Sequence, residues 1–248
     1  AQGVDLVKLM ITGGVLDAKE KGVPGEMKMP EDMIQAICKK AHQLGLLTSA
    51  HVESTEGVKA ALRNGVDSIE HGAKPDQEMM ELFKEKKAFL ITTLSPALPF
   101  ALFDPSVSKV DDTQLFNGKM VFDGIVECSK AALENHIPVG LGNDVGCPWI
   151  TQYDFYRELV YFHKYVGVTN GFAIYTATLQ NAILAGISDI TGSIDAGKQA
   201  DMIVVKENPL DDLNALKNIE LVFTKGKMVH PKIKRDKEIE QRLDVFCK

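Results

Sequence analysis

Five times in its first 144 residues this chain passes from a short apolar stretch, rich in β-branched residues, into a turn and then into a helix pattern. That alternation constrains the fold more than any other feature. Strands separated by helices run parallel and are joined by right-handed crossovers. The stretches are residues 4–11, closed by Thr12-Gly13-Gly14, and residues 46–51, 66–71, 88–93 and 137–142. Pro30 followed by Glu31 and Asp32 opens a helix carrying Met33, Ile34, Ile37, Ala41 and Leu44, and Gly45 ends it. Val58, Ala61 and Leu62 mark a short helix, and Asp76 is placed to cap another through Met79, Leu82 and Phe83. Residues 96–112, with three prolines, predict a long connection. Helix patterns resume over 115–135 and around 155–165 and 172–184.

Beyond Gly186 the character changes to short strand-like segments joined by turns, around 201–205, 219–223 and 226–229. The tail from Pro231 is charged, with a weak helical pattern. Nothing repeats internally. The length of 248 residues suits one barrel-sized domain or two smaller ones. A net charge of −6 argues against nucleic acid as a partner, since phosphate binding needs a basic stripe. No apolar run is long enough to span a bilayer, so no membrane partner is expected. The four cysteines are dispersed, without CxxC or zinc-finger spacing. Cys38 and Cys128 read as small core residues, and a cytoplasmic location is the simplest expectation. Ala1-Gln2-Gly3 leads straight into a strand with no initiator Met and no signal-peptide pattern, which reads as a chain beginning partway through a fold.

In parallel barrels the chemistry sits at the carboxyl ends of the strands. Near four such ends stand Lys8, His51, His71 and Asp144. Strands in register would gather them on one rim, and two imidazoles with a carboxylate form a ligand set suited to Zn2+ or a similar metal. Lys8, flanked by apolar residues, is a candidate for a lowered pKa and for carrying CO2 as a carbamate that bridges two metals. Each residue also has a plainer reading. Lys8 can snorkel to solvent, a histidine at a strand end can be a hydrogen-bonded structural residue, and Asp144 can be a turn residue. His42, His136, His163 and His230 receive no role. Glu53 and Glu70 adjoin the histidines. Strand alternation points Glu70 away from His71, so Glu70 reads as a structural partner.

Four segments together resemble the amidohydrolase superfamily, in the branch of imidazolonepropionase-like and Xaa-Pro dipeptidase-like enzymes. They are Val7-Lys8-Leu9-Met10 with Thr12-Gly13-Gly14-Val15, Ala41-His42-Gln43-Leu44-Gly45 through Ala50-His51, Gly65-Val66-Asp67-Ser68-Ile69-Glu70-His71-Gly72, and the approach to Asp144. Thr191-Gly192-Ser193-Ile194, Gly197-Lys198-Gln199-Ala200-Asp201 and Asn208-Pro209-Leu210 are similar to that family's accessory β-sandwich. The resemblance implies an α/β fold: the carboxyl-terminal part of a (β/α)8 TIM-like barrel plus part of a small β-sandwich. The expected division is 1–186 for the partial barrel, 187–232 for the sandwich segment and 233–248 for the tail.

By the same resemblance, Lys8 is N-carboxylated and bridges, His51 and His71 bind the second of one or two Zn2+ or other divalent ions, and Asp144 binds the first and acts as general base. The reaction implied is hydrolysis of a peptide-like or N-acyl amide C–N bond by metal-bound hydroxide, on a small-molecule amide or dipeptide. A cyclic-amide hydrolase or deaminase is the alternative within the superfamily. One departure matters: the family's His-x-His pair occurs nowhere in the chain. It favours a catalytically incomplete barrel whose remainder comes from an upstream segment, a second chain or a homo-oligomer. A phosphate-binding barrel built on Gly13-Gly14 or residues 142–146 would leave both histidines idle.

Overall fold

A computed structural model describes residues 3–248; Ala1 and Gln2, and the expectation that the chain starts within a fold there, lie outside the described residues. The chain divides into two compact units between Val139 and Gly140. In the first, β1 (Leu6–Met10), β2 (Leu47–Val52), β3 (Ser68–His71) and β4 (Phe89–Thr92) alternate with α1 (Glu31–Gln43), α2 (Thr55–Arg63) and α3 (Gln77–Lys86). After β4 come α4 (Leu94–Leu102), α5 (Pro105–Ser108) and α6 (Asp112–Glu134), leading to β5 (Val139–Leu141) at the division. The strands lie in chain order, β1-β2-β3-β4-β5, with parallel pairing from β1 through β4. Sequential parallel order is an arc of a (β/α)8 barrel, the α/β class expected from the sequence.

Helix starts follow their predicted signals. Asp76 caps α3 by accepting from the Met79 amide at 2.8 Å, and Ser54 caps α2 by accepting from Gly57 at 3.3 Å. At the amino ends of the strands, the Asp67 carboxylate accepts from the Thr48 amide at 2.7 Å and the Thr48 hydroxyl at 2.8 Å, and contacts His42 Nε2 at 2.8 Å. His42 is thus a structural partner there. Cys38 and Cys128 are core residues, and burial pushes the Cys128 thiol up to about 12.

Residues 96–112 differ from expectation: most of the supposed connection is helical, with Pro99 inside α4. The segment 94–100 is buried throughout, and a helix apolar on all sides is stable when buried. Its partner is α6. At Gly118 a Cβ would lie 2.5 Å from Phe100 Cβ, so glycine permits the close approach. The buried Asn117 on α6 accepts from the Gly22 amide at 2.7 Å and donates to the Glu20 carbonyl at 2.9 Å, tying down the loop after β1.

β1 has one neighbour among the described residues, and its side chains Leu6 and Met10 are 51% and 57% exposed.

The second unit contains α7 (Tyr156–Tyr161), α8 (Asn170–Tyr175) and α9 (Asn181–Leu184). It also contains an antiparallel sheet of β6 (Met202–Val205), β7 (Ile219–Thr224) and β8 (Lys227–Val229). π-helical turns follow α7 and α8. The charged tail forms α10 (Lys237–Asp244), capped by Asp236. Tertiary contacts supply what its periodicity lacked. Asp244 accepts from Arg157 Nη2 at 2.7 Å and Lys217 Nζ at 2.8 Å, and Arg242 lies 5.8 Å from the Trp149 ring centroid.

Burial by itself would raise the Asp244 pKa, but its bonds to Lys217 and Arg157 outweigh burial and hold it below the ordinary carboxylate value. A depressed carboxyl stabilises the fold above its unfolded pKa of about 3.9, and that contribution is lost as pH falls through the lower folded value. Emission from Trp149, the single tryptophan, will therefore change below about pH 4 as α10 loosens. In Asp244→Ala the same change will already be present at pH 7; identical acid titrations of the two proteins would refute this.

Candidate metal centre

Register determines which side chains of the first unit share a face. Lys8 pairs with Ser49 and Ser49 with Ser68; Met10 pairs with His51 and His51 with Glu70. These residues therefore lie on one face of the sheet, with Lys8 one pleat below the row of His51. Lys8 lies in the middle of β1, not at its end. Its side chain is 41% exposed, not desolvated as its apolar flanks predicted, and its Nζ is 3.9 Å from Glu70 Oε2. Glu70 also accepts from Ser49 Oγ at 2.6 Å. It is a partner of Lys8 and Ser49.

His71 pairs with Val52, so simple alternation would send it to the opposite face from His51. The backbone prevents this. His71 has φ +70° and Gly72 φ +85°, and the left-handed turn carries the ring back over His51. The two ring centroids are 4.6 Å apart with planes at 73°. A Cβ on Gly72 would meet Cys128 Sγ at 3.0 Å, so glycine there serves both the turn and the packing of α6.

Second partners orient each imidazole. His71 Nδ1 lies 2.5 Å from the buried Thr93 hydroxyl, which fixes the ring and leaves Nε2 as its other donor atom. His51 Nε2 lies 3.3 Å from the Gly13 carbonyl, a contact that holds the ring in place whenever that nitrogen carries the proton. Burial, reinforced by the nearby charges of His51 and Lys8, holds the His71 pKa well below the ordinary imidazole value. The ring is neutral at pH 7, the form that binds metals.

Glu53 joins the two histidines. One donor atom from each of His51, Glu53 and His71 lies within 4.8 Å of the others. The sequence held the signal: residues two apart in an extended chain share a face, so His-x-Glu at the end of β2 presents both side chains together. Gly14 leaves the room. A Cβ there would lie 3.1 Å from Glu53 Oε2 and 3.4 Å from His51 Nε2. Two neutral-capable imidazoles and a carboxylate around a space kept open by glycine fit a divalent cation. Beside them the loop after β1 forms a cleft of about 270 Å³ lined by Gly13, Asp17, Lys19, Glu26 and Lys28 among others.

Asp144 belongs to the second unit. It is exposed, with φ +50°, in a turn where the Cys147 amide donates to its carbonyl at 3.2 Å and the Cys147 thiol to Oδ2 at 3.2 Å. Asn181 fixes the approach to this turn, accepting from the Leu141 amide at 3.0 Å and donating to its carbonyl at 2.8 Å.

Parallel strands in sequential order, with a histidine pair gathered at their carboxyl ends, are the architecture of a (β/α) barrel segment, and residues 1–229 match the amidohydrolase family. The chain belongs to that family. Among solved structures it is similar to a protein from Bifidobacterium longum assigned as a prolidase, with 39% identity, TM-score 0.92, and coverage of 98% of this chain and 60% of that one. It is also similar to a Xaa-Pro dipeptidase solved with methionine in its active site, with 30% identity, TM-score 0.80, and coverage of 92% and 55%. Among curated proteins it is 27% identical to the Aspergillus niger ochratoxinase over 232 residues, 92% of this chain and 46% of that protein. The chain thus spans about half the length of the curated relatives it matches. No described helix is long and apolar enough to cross a membrane.

Proposed function

We propose that this chain carries the catalytic metal site of an amidohydrolase that cleaves a peptide-like or N-acyl amide C–N bond. The observation that carries the reading is the His51–His71 pair, gathered at the carboxyl ends of β2 and β3 by a left-handed turn. Family membership supports hydrolysis, and the prolidase and dipeptidase neighbours favour small dipeptides or acylated amino acids as substrates.

A divalent cation such as Zn2+, when bound, supplies Lewis acidity that polarises a carbonyl and lowers the pKa of water. In the proposed arrangement His51 and His71 would hold it through a nitrogen of each ring. By the resemblance, Lys8 as an N-carboxylate and Asp144 would each supply oxygen ligands. Asp144 is the general base: its carboxylate takes a proton from the attacking water and delivers it to the leaving amine. The cleft lined by Asp17, Lys19, Glu26 and Lys28 offers charges of both signs to a zwitterionic substrate. We assign the barrel segment to residues 1–186, the sandwich segment to 187–232 and the tail to 233–248.

The test is to strip the full chain with chelator, restore Zn2+, and assay Xaa-Pro dipeptides and N-acyl amino acids. Zinc-dependent release of amine supports the reading. A chain that binds no metal refutes it. A chain that binds metal and cleaves nothing favours the incomplete-barrel alternative, for which the absent His-x-His argues.

A further inference from the structure

The geometry points to Glu53 as a third protein ligand of the cation, beside His51 and His71. This rests on the metal-centre reading above and adds a residue outside the ligand set drawn from the resemblance. The three donor atoms lie within 4.8 Å of one another. Around an ion with bonds of about 2.0–2.2 Å, tetrahedral donors sit about 3.3–3.6 Å apart. The widest pair therefore has at most about 1.5 Å to close.

Glu53 stands in a built place. Its amide donates to Oγ1 of the buried Thr12 at 3.0 Å, and that hydroxyl donates to the Gly13 carbonyl at 2.8 Å. His51 Nε2 lies 3.3 Å from the same Gly13 carbonyl, so one short run of contacts holds both side chains in place. Gly25 lies against the Glu53 backbone so closely that a Cβ would come within 2.5 Å of its carbonyl. Gly14 keeps its own Cβ space clear for the carboxylate. Three loop residues, Thr12, Gly14 and Gly25, thus converge on one glutamate, which a solvent-facing acid would not require.

Two histidines and a glutamate leave a fourth position open for water or substrate, the arrangement of catalytic rather than structural zinc. It also leaves Lys8 in its contact with Glu70, so the cation can be held without carboxylation of Lys8.

The test uses the full chain stripped of metal and titrated with Co2+ against a competing chelator, following affinity and the visible absorption of the bound ion. Glu53→Gln keeps the shape and loses the charge; Glu53→Ala removes the donor. Both should weaken Co2+ at least about 100-fold, more than the roughly 10–100-fold typical of outer partners, and alter its visible spectrum. Circular dichroism of the metal-free variants should match the parent. Unchanged affinity and spectrum in Glu53→Gln, with loss in His51→Ala, would overturn the assignment and leave the metal centre standing. A parent chain that takes up no Co2+ would overturn both.

Discussion

His71→Asn will leave the chain folded and lower its affinity for Zn2+ or Co2+ by about two orders of magnitude or more, beyond the roughly 10–100-fold loss typical of an outer partner. Asparagine is the informative replacement because position 71 has φ +70°. Asn tolerates left-handed backbone, whereas most other L-residues lose about 1–2 kcal/mol there. His71→Ala would mix that strain with the lost nitrogen and with a cavity against Thr93. If the Asn variant bound metal as tightly as the parent, His71 would be a structural histidine of the β3 turn. The readout is a chelator-competition titration with a thermal melt of the metal-free protein alongside.

Arg157→Ala will destabilise the second unit by about 3–5 kcal/mol, the cost of leaving a buried charge without its partner. Arg157 and Asp154 are 2% and 5% exposed. The guanidinium donates to Asp154 Oδ2 at 3.2 Å, to Asp244 Oδ1 at 2.7 Å and to Cys247 Sγ at 3.2 Å. Removing it strands Asp154 and detaches α10. Arg235, with Nη2 4.0 Å from Asp154 Oδ1, offsets part of the loss, so the lower half of the range is expected. Urea unfolding followed by Trp149 emission measures it. A change below about 1 kcal/mol, the scale of an exposed ion pair, would mean the network is solvated.

The strand order and most helix starts were legible in the sequence because local chemistry dictates them. Asp76 caps as its position predicts, and Gly45 and Gly65, both with positive φ, end the turns that leave α1 and α2. What escaped depends on tertiary context. The prolines of 96–112 read as a loop, yet burial of residues 94–100 makes the first part of that stretch a helix packed on α6. Lys8 read as desolvated from its apolar neighbours, but those neighbours point to the other face or are themselves exposed. Glu70 and His71 read as pointing apart, and only the backbone dihedral of His71, which sequence alternation cannot convey, brings that ring to His51. Glu53 was within reach: its spacing from His51 was visible, but nothing in the sequence said that Gly14 would leave space for its carboxylate.

Among the described residues β1 has β2 as its one neighbouring strand, and that bears on how any of these measurements is made. A strand with one neighbour presents a row of amides and carbonyls that a second molecule can extend, and Leu6 and Met10 add an apolar strip beside it. Apparent melting points and binding curves will then drift with protein concentration, because self-association is linked to folding by mass action. Dilution series therefore belong beside every titration, and a lysine at position 6 or 10 offers a way to keep copies apart without disturbing the histidines.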